Sequence, residues 1–281
     1  MKQIKIAVVI PTFNRKDITE KCVANLLKGT FSNIKIIICD SDSSDGTQEA
    51  LQNIDNVSVI NVGEDSWWSA AVNEGVSVAL TDGCEYILVL NDDIDIPNSL
   101  IKQLLDKAIQ NPGKIITPAQ KNKQGIFLGI KYNGIFKSPS ISWCNEEHEQ
   151  VNVGSSNGCC LLIQSDVFRK VGLFDDKCCP HLYGDTEFQL RSFNSGVSTM
   201  AFSDILITQQ EGTDYCRRLR FGNLLTYKGS PVHLAAYIAF GRSLFNGWFG
   251  FIFLGARHHY TYIRSLIKTM YIIFYLVINK K

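Results

Sequence analysis

Short apolar runs alternate with helix-length segments as far as Gln110 of this 281-residue chain. Each run has only five or six residues, which suits a buried strand better than a buried helix. The runs occupy residues 6–10, 34–39, 57–62 and 86–90. The apolar spacing elsewhere predicts helices over Asp17–Leu27, Thr47–Asn53, Ser69–Leu80 and Ser99–Gln110. This alternation predicts an α/β fold, with a doubly wound, Rossmann-like, mostly parallel sheet and flanking helices.

Residues 115–165 lack this alternation and have the pattern of short strands and turns. Further helices are predicted over Val167–Val171 and Thr186–Ser195. A chain of this length that is 45% hydrophobic can bury one sizeable core and still carry an appendage.

Charge divides the chain into two parts. Residues 215–281 contain no Asp or Glu but carry ten Lys and Arg residues. Residues 1–214 hold the other 18 basic residues and all 27 acidic residues, which is a net charge of −9. An acidic body followed by a basic, aromatic-rich segment indicates two units with separate tasks. We therefore predict a globular domain over 1–214 and a C-terminal segment of amphipathic helices over 215–281.

Two apolar stretches lie in the C-terminal segment, at Leu234–Leu254 and Leu266–Ile278. Arg242 interrupts the first, and the second is short and contains Lys268, so neither has the roughly 20 uninterrupted apolar residues of a spanning helix. Cationic, aromatic-rich helices of this kind favour the surface of an anionic membrane. The alternative is a helical pair that packs on the sheet or forms a homodimer.

The cysteines and the N-terminus indicate a reducing compartment. The chain has nine cysteines, and its first residues have no secretory signal pattern, so we expect a cytoplasmic protein. The cysteine pairs at 159–160 and 178–179 are adjacent, unlike the spaced pairs of a zinc site. Cys178, Cys179 and His181 could bind a metal, but buried thiols are the simpler interpretation.

The fourth apolar run leads directly into an acidic cluster, Asn91-Asp92-Asp93-Ile94-Asp95. Carboxylates crowded at the end of a buried strand repel one another and lose hydration. A hard divalent cation such as Mg²⁺ or Mn²⁺ would compensate them. Open α/β sheets also bind their ligands beyond the carboxyl ends of their strands. The alternative interpretation is a solvated loop before an acidic helix start.

Polar segments also follow the first two runs, at residues 11–15 and 40–47. Asp40, at a strand end, can accept hydrogen bonds from a base or a ribose. The alternative for the second segment is an Asx-rich turn, with Asp45 or Thr47 near a helix start.

Two further motifs are compatible with either structure or function. Adjacent tryptophans, Trp67 and Trp68, precede a helix of small residues and belong either to the core or to a ligand platform. A third acidic cluster surrounds Asp185 and Glu187 at a predicted helix start, with Arg191 one turn later. Asp185 is either a helix cap or a catalytic carboxylate.

Taken in order, these motifs resemble the family 2 glycosyltransferases of the GT-A fold. The matching segments are PTFNR, DSDSSDGT, WWSAAVNEG, NDDID, NGCCLLI and GDTEFQLR, over roughly residues 5–215. The segment from Trp67 to Gly75 most resembles the branch that builds bacterial surface polysaccharides, O-antigen among them. That branch includes rhamnosyl- and galactofuranosyl-type transferases.

The resemblance implies a role for each matched residue. Asp185 would be the base that activates the acceptor, with Glu187 as the second candidate. Asp93 would be the main ligand of a divalent cation, Mg²⁺ or Mn²⁺, which bridges to the donor diphosphate. The implied substrate-binding residues are Pro11, Thr12, Asn14, Arg15, Asp40, Asp42, Trp67, Trp68, Asn73, Asn91, Asp92 and Arg191.

The resemblance also implies an activity and its partners. The expected reaction is an inverting, metal-dependent transfer of one sugar from a UDP- or dTDP-sugar to a glycan acceptor, held on a polyprenyl diphosphate. The expected location is peripheral, on the cytoplasmic face of the inner membrane, without a nucleic-acid partner. The alternatives are a non-catalytic nucleotide-sugar-binding protein on the same fold and a transferase with a different acceptor.

Two positions depart from the family pattern. Many relatives have Glu before the catalytic Asp, where this chain has Gly184. Many also have a histidine ligand after the following strand, where this chain has Gln209, Gln210 and Glu211. A glutamine oxygen binds Mg²⁺ or Mn²⁺ only weakly, so the remaining metal ligands stay open.

Overall fold

The first four predicted strands form a parallel unit in the computed structural model, which describes residues 4–132, 140–144, 149–209, 225–226, 233–244, 259–260 and 262–270. The strands are β1 (Ile6–Thr12), β2 (Ile34–Asp40), β3 (Val57–Asn61) and β4 (Tyr86–Leu90). They pair in the order β3, β2, β1, β4, and each pairing is parallel. Strands β1, β2 and β4 are almost wholly buried, as strands covered on both faces must be.

Helices cover both faces of this unit. They are α1 (Lys16–Leu27), α2 (Thr47–Leu51), α3 (Trp68–Thr81) and α4 (Leu100–Gln110). Helices α1, α2 and α4 pack into one apolar cluster, and α3 packs into the other. Helix α4 shows why the sequence folds this way, because its buried residues recur on one helical face, at Leu100, Ile101, Leu104, Leu105 and Ala108.

The chain after β4 extends the sheet with strands of both directions. Besides α4, its elements are β5 (Ile94–Asp95), β6 (Ile115–Asn122), β7 (Gly125–Lys131), β8 (Ser140–Trp143), β9 (Gln150–Val153), β10 (Cys160–Gln164), α5 (Ser165–Val171), α6 (Gly184–Asn194), β11 (Thr199–Gln209) and α7 (Leu234–Leu244). The sheet runs β3-β2-β1-β4-β10-β6-β11-β5. Strand β10 is antiparallel to its neighbours β4 and β6, whereas β6 and β11 are parallel to each other.

Helix α3 lies unusually close to β1 and β2 because its middle residue is Gly75. A Cβ atom at this position would lie 2.5 Å from Cys39 Sγ and 2.5 Å from Val9 Cγ1. No side chain fits at that distance, so glycine permits this close approach of helix and sheet. The close packing holds the start of α3, with Trp68, near the carboxyl ends of the parallel strands.

The predicted α/β fold class is confirmed, and the predicted helices of the first half lie within a few residues of the observed ones. Beyond β4, antiparallel pairs outnumber parallel ones, which the strand pattern alone did not indicate. The predicted division at 214/215 falls outside the described residues. In the C-terminal segment, α7 and residues 262–270 are helical. Among the described residues, no helix is both long enough and apolar enough to cross a membrane.

Candidate active site

The strand register brings the polar segments to one edge of the sheet. Thr12 pairs with Asp40, and Asp40 pairs with Asn61, so β1, β2 and β3 end level with one another. Val9 pairs with Val89, which places the segment after β4 beside Thr12. The polar residues that follow the parallel strands therefore meet at the edge where α/β sheets bind ligands.

Arg15 bridges the two aspartates that follow β4. Its Nη1 atom lies 3.1 Å from Asp92 Oδ1, and its Nη2 atom lies 3.4 Å from Asp93 Oδ2. The aspartate side chains are only 2% and 5% exposed, so this guanidinium is essential compensation for two buried charges. The acidic cluster predicted a metal cation as the compensating charge, whereas in the structure Arg15 provides much of it.

Asp92 is also held by two hydroxyl groups. Thr19 Oγ1 lies 2.9 Å from Asp92 Oδ2 and Thr12 Oγ1 lies 3.4 Å from it, while the two hydroxyls are 2.8 Å apart. Burial raises the pKa of Asp92, and the nearby Asp93 raises it further. Arg15 and the threonine hydroxyls lower the pKa but do not outweigh burial. The Asp92 carboxylate oxygens are thus occupied by contacts within the protein.

Asp93 has a weaker contact, which comes from the end of β11. Gln209 pairs with Ile94 in β5, and its Nε2 atom lies 3.3 and 3.4 Å from the two Asp93 carboxylate oxygens. The Gln209 amide nitrogen, not its oxygen, therefore faces Asp93. Gln210 and Glu211 lie outside the described residues. No group of three His, Cys, Asp or Glu residues suited to a metal occurs within the described ranges.

The segments after β1 and β2 are bound to each other. The Asn14 backbone N–H donates to Ser43 Oγ at 2.8 Å, and the Ser44 N–H donates to Asn14 Oδ1 at 2.8 Å. Asn14 and Asp42 have positive φ angles of 51° and 64°, which Asn and Asp adopt more readily than most residues. These contacts shape one continuous polar rim at the sheet edge. Pro11, a predicted substrate-binding residue, lies within β1 opposite Cys39, so β1 continues through it to Thr12.

The Asp40 carboxylate shapes this rim from within. It is fully buried, and its Oδ2 atom accepts from the Ser43 N–H at 2.9 Å and from Gln48 Nε2 at 2.6 Å. Asp42 accepts from Asn61 Nδ2 at 2.9 Å. The segment is therefore the Asx-rich turn of the alternative interpretation. The contact of Asp40 with a base or ribose stays a prediction, because in this structure its carboxylate is buried among internal partners.

The two tryptophans lie at the start of α3. Trp68 Nε1 donates to Asn91 Oδ1 at 3.0 Å, and its ring meets Phe174 edge-on at 5.3 Å. Trp67 packs edge-on against His181 at 5.2 Å. Burial lowers the pKa of His181 to about 4, so this imidazole is neutral at physiological pH. Trp68 thus joins the core to the acidic cluster.

Asp185 lies in the first turn of α6, against the loop that leads into β10. Its Oδ2 atom accepts from the Gly158 N–H at 2.6 Å, and its Oδ1 atom accepts from the Thr186 N–H at 2.7 Å. A Cβ atom at Gly158 would lie 2.4 Å from Asp185 Cβ, so only glycine allows this contact. Burial raises the pKa of Asp185 even though these N–H groups lower it. A raised pKa suits a group that must take a proton.

Gly184 explains the first departure from the family pattern. A Cβ atom at this position would lie 2.3 Å from Ser69 Oγ and 3.0 Å from the Cys179 carbonyl oxygen. Ser69 itself donates to that carbonyl at 2.6 Å. A glutamate before Asp185 would require this contact between α3 and the 179–184 segment to open.

Three other predicted site residues have internal partners. Glu187 and Arg191 form a two-pronged ion pair at 2.9 and 3.0 Å, and Ser243 of α7 also donates to Glu187 at 2.8 Å. Arg191 further donates to the carbonyls of residues 171 and 173. Asn73 exchanges two hydrogen bonds with the Phe174 backbone, at 2.9 and 3.0 Å. These contacts hold α3 and α6 in place, away from the strand-end cluster.

Sequence reasoning missed three contributors to the site. Thr19 follows Arg15 by four residues on α1, and that helical spacing was the one available signal for it. Gly158 stands in the NGCCLLI segment, but its partner Asp185 is 27 residues away. Gln120 contacts Gln209 at 3.0 Å, and no local pattern marks it.

Replacing Arg15 with Gln should destabilise the fold by about 3 kcal/mol at neutral pH, because two buried carboxylates lose their cation. The loss should shrink in mildly acidic buffer. Without Arg15, the main influence that lowers the Asp92 pKa is absent, so Asp92 takes up a proton as the pH falls. Urea unfolding at both pH values measures the difference.

Lys21→Gln is the matched control, because it removes a cation from an exposed pair with Asp95 at 3.6 Å. We expect it to cost less than about 1 kcal/mol at either pH. Equal losses for the two variants would contradict the bridging role of Arg15.

The chain is similar in sequence to several known proteins. The chain is 26% identical over 144 residues to a GalNAc(5)-diNAcBac-PP-undecaprenol β-1,3-glucosyltransferase of Campylobacter jejuni, covering 49% of this chain and 46% of the relative. It is 25% identical over 200 residues to an N-acetylglucosaminyl-diphospho-decaprenol L-rhamnosyltransferase of Mycobacterium tuberculosis, covering 61% and 65%. It is 23% identical over 188 residues to a low-salt glycan biosynthesis hexosyltransferase of Haloferax volcanii, covering 64% and 60%.

The chain thus spans from about half to just under two thirds of the length of these relatives. The family profile described as glycosyl transferase family 2 matches residues 7–170, which is more than half of the chain. That range contains the parallel strands, the Arg15 bridge and the acidic cluster. This chain belongs to glycosyl transferase family 2.

Proposed function

We propose that this protein transfers one hexose-type sugar, with inversion, from a UDP- or dTDP-sugar to a glycan carried on a polyprenyl diphosphate, in the synthesis of a cell-surface polysaccharide. One observation carries the proposal: the structure has two separate carboxylate sites with different surroundings. Asp93 lies beside Arg15 at the strand ends, and Asp185 lies on α6 with a raised pKa. The names of two relatives, which include undecaprenol or decaprenol diphosphate, support the acceptor class.

The reaction needs one proton acceptor and one site for the leaving group. The acceptor hydroxyl oxygen bonds to the anomeric carbon of the donor sugar while the bond from that carbon to the diphosphate breaks. Asp185 takes the hydroxyl proton, and a raised pKa makes its carboxylate a better base. The negative charge on the departing nucleoside diphosphate develops near Arg15, which is 23% exposed at the sheet edge. Glu187 is less accessible to an acceptor, because it is only 4% exposed and Arg191 and Ser243 contact its oxygens.

Asp93 is the residue that fits a Mg²⁺ or Mn²⁺ ion. Its carboxylate is the oxygen ligand that such ions prefer, and its contacts with Gln209 are long enough to be displaced. When bound there, the cation would offset charge on the donor diphosphate, whose oxygens would complete its coordination.

Asp185→Asn should lower the sugar-transfer rate about 10²- to 10⁴-fold, because the amide cannot take the acceptor proton. Release of nucleoside diphosphate, measured with a panel of nucleotide sugars and lipid-linked acceptors, gives the rate. The wild-type rate should also fall as the pH drops through a pKa above the ordinary aspartate range.

Asp176→Asn is the matched control, because Asp176 is exposed and lies in the segment before α6. It should transfer sugar at the wild-type rate. Unchanged transfer by Asp185→Asn would remove Asp185 as the base. A wild-type protein that binds nucleotide sugars but never releases nucleoside diphosphate would favour a non-catalytic binding protein instead.

Asp93→Asn should lower transfer at least about 10²-fold and should abolish the thermal stabilisation that Mn²⁺ gives to the donor-bound protein. Asp95→Asn is the control, since the Asp95 side chain is 57% exposed and lies 3.6 Å from Lys21 Nζ. Turnover that survives EDTA, or a Mn²⁺ effect that survives Asp93→Asn, would contradict the cation site.

Peripheral membrane contact, on the cytoplasmic face of the inner membrane, is part of the proposal. Ile263, Ile267 and Met270 are 54%, 63% and 42% exposed and recur at helical spacing, so they form one apolar face. We refer to these three residues as the C-terminal stripe. The surrounding segment 215–281 is basic and has no acidic residue, which suits an anionic lipid surface.

Ile263→Glu with Ile267→Glu should abolish co-sedimentation with phosphatidylglycerol vesicles at low salt, because the C-terminal stripe can no longer enter the lipid surface. Ile109→Glu is the control, since Ile109 is equally exposed on α4, outside the stripe. A wild-type protein that stays in the supernatant would contradict the membrane contact. If it were also dimeric in sedimentation and the double variant monomeric, the stripe would be a homodimer interface.

A further inference from the structure

Three side-chain amides form a continuous chain that starts at the acidic cluster. Gln209 Nε2 lies 3.3 Å from Asp93 Oδ1, and Gln120 Nε2 donates to Gln209 Oε1 at 3.0 Å. Asn157 Nδ2 in turn donates to Gln120 Oε1. The next residue, Gly158, donates its backbone N–H to Asp185 at 2.6 Å. The chain therefore links the carboxylate proposed for the cation with the loop that holds the proposed base.

The direction of these hydrogen bonds follows from Asp93. An ionised carboxylate can only accept, so Gln209 must turn its Nε2 atom toward Asp93. Its Oε1 atom then faces Gln120, which must donate, and Gln120 Oε1 accepts from Asn157. Gln120 is only 9% exposed, so leaving its amide unpaired would cost free energy. Each hydrogen bond of the chain must therefore keep its donor and its acceptor.

We propose that Gln120 is a positioning residue that sets the direction of this amide chain, and that a divalent cation at Asp93 reverses it. The second half rests on the cation site proposed above. With a cation at Asp93, Gln209 would present its amide oxygen to that side instead of its nitrogen, so its amide would turn over. Gln120 must then accept from Gln209 and donate to Asn157 Oδ1, because each amide has one oxygen and one NH₂ group.

Through this reversal, binding of the cation would affect the loop that holds the proposed base, Asp185. Asn157 is the residue before Gly158, whose N–H holds Asp185 against the β10 loop. A change of partner at Asn157 therefore adjusts the peptide that positions the base. Gln209 stands where many relatives have histidine. Without a cation, its amide nitrogen contacts Asp93, and the proposed reversal would turn its oxygen toward a bound cation.

Gln120→Glu tests the direction of the hydrogen bonds in the amide chain. An ionised glutamate can only accept, so Gln209 must donate to it. The Gln209 oxygen then faces Asp93. Without metal, this variant should unfold at a lower temperature than the wild type. Titration with Mn²⁺ alone, followed by thermal shift and by the loss of free Mn²⁺ signal in electron paramagnetic resonance, should show affinity raised about three- to tenfold.

Two variants separate this effect from the added negative charge. Gln124→Glu adds the same charge on the adjoining hairpin turn, where Gln124 is exposed and outside the amide chain. It should leave Mn²⁺ affinity within about twofold of the wild type. Gln120→Glu combined with Gln209→Leu should lose the whole gain. An equal gain in Gln124→Glu, or a gain that survives Gln209→Leu, would overturn the proposal.

A metal-free measurement decides the positioning role of Gln120 independently. Gln120→Leu and Gln209→Leu break the same hydrogen bond, so the double variant should lower the melting temperature by less than the two single losses together. Gln124→Leu with Gln209→Leu should be additive. Additivity in both pairs would overturn the positioning role. A wild type that binds no Mn²⁺, either alone or together with a nucleoside diphosphate, would overturn the reversal and the cation site. The positioning role would stand or fall on this cycle.

Discussion

The contact of Arg15 with Asp92 and Asp93 is the interaction on which the rest of the site depends. It joins the segment after β1 to the segment after β4 and compensates two carboxylates that are almost fully buried. Without that guanidinium, the cluster would have to take up protons or open to water. The threonine hydroxyls on Asp92 leave Asp93 as the carboxylate with the weaker contacts. The start of α1 therefore determines which aspartate keeps the weaker internal contacts.

Reversal of one strand joins this cluster to Asp185. Strand β10 runs antiparallel to β4, so the loop before β10 returns to the edge where β4 ends, and the Asn91 N–H donates to the Cys159 carbonyl at 2.9 Å. Burial, with smaller contributions from Asp185 and Asp93, raises the pKa of the Cys159 thiol to about 12. Both carboxylates therefore lie near Cys159.

Much of the fold followed from pattern. The apolar runs predicted the four parallel strands, and the residues that directly follow them, such as Arg15, Asp40 and Asp93, meet at one edge as a parallel sheet requires. Pattern was less informative for residues whose partners are distant. Asn73 and Arg191 matched family motifs but contact the chain backbone near residue 173. Gln120 had no motif, yet it lies between Gln209 and Asn157.

The sequence by itself determined the α/β class, the order of the parallel strands' polar segments and the identity of the charged residues, because strand and helix periodicity are local properties. Only the tertiary structure decided how those charges are compensated and which residues remain available. Arg15 reaches Asp93 from 78 positions earlier, Gln209 reaches it from 116 positions later, and Gly158 fits Asp185 only because it lacks a Cβ atom. Such contacts arise from strand register and close packing, which no local stretch of sequence contains.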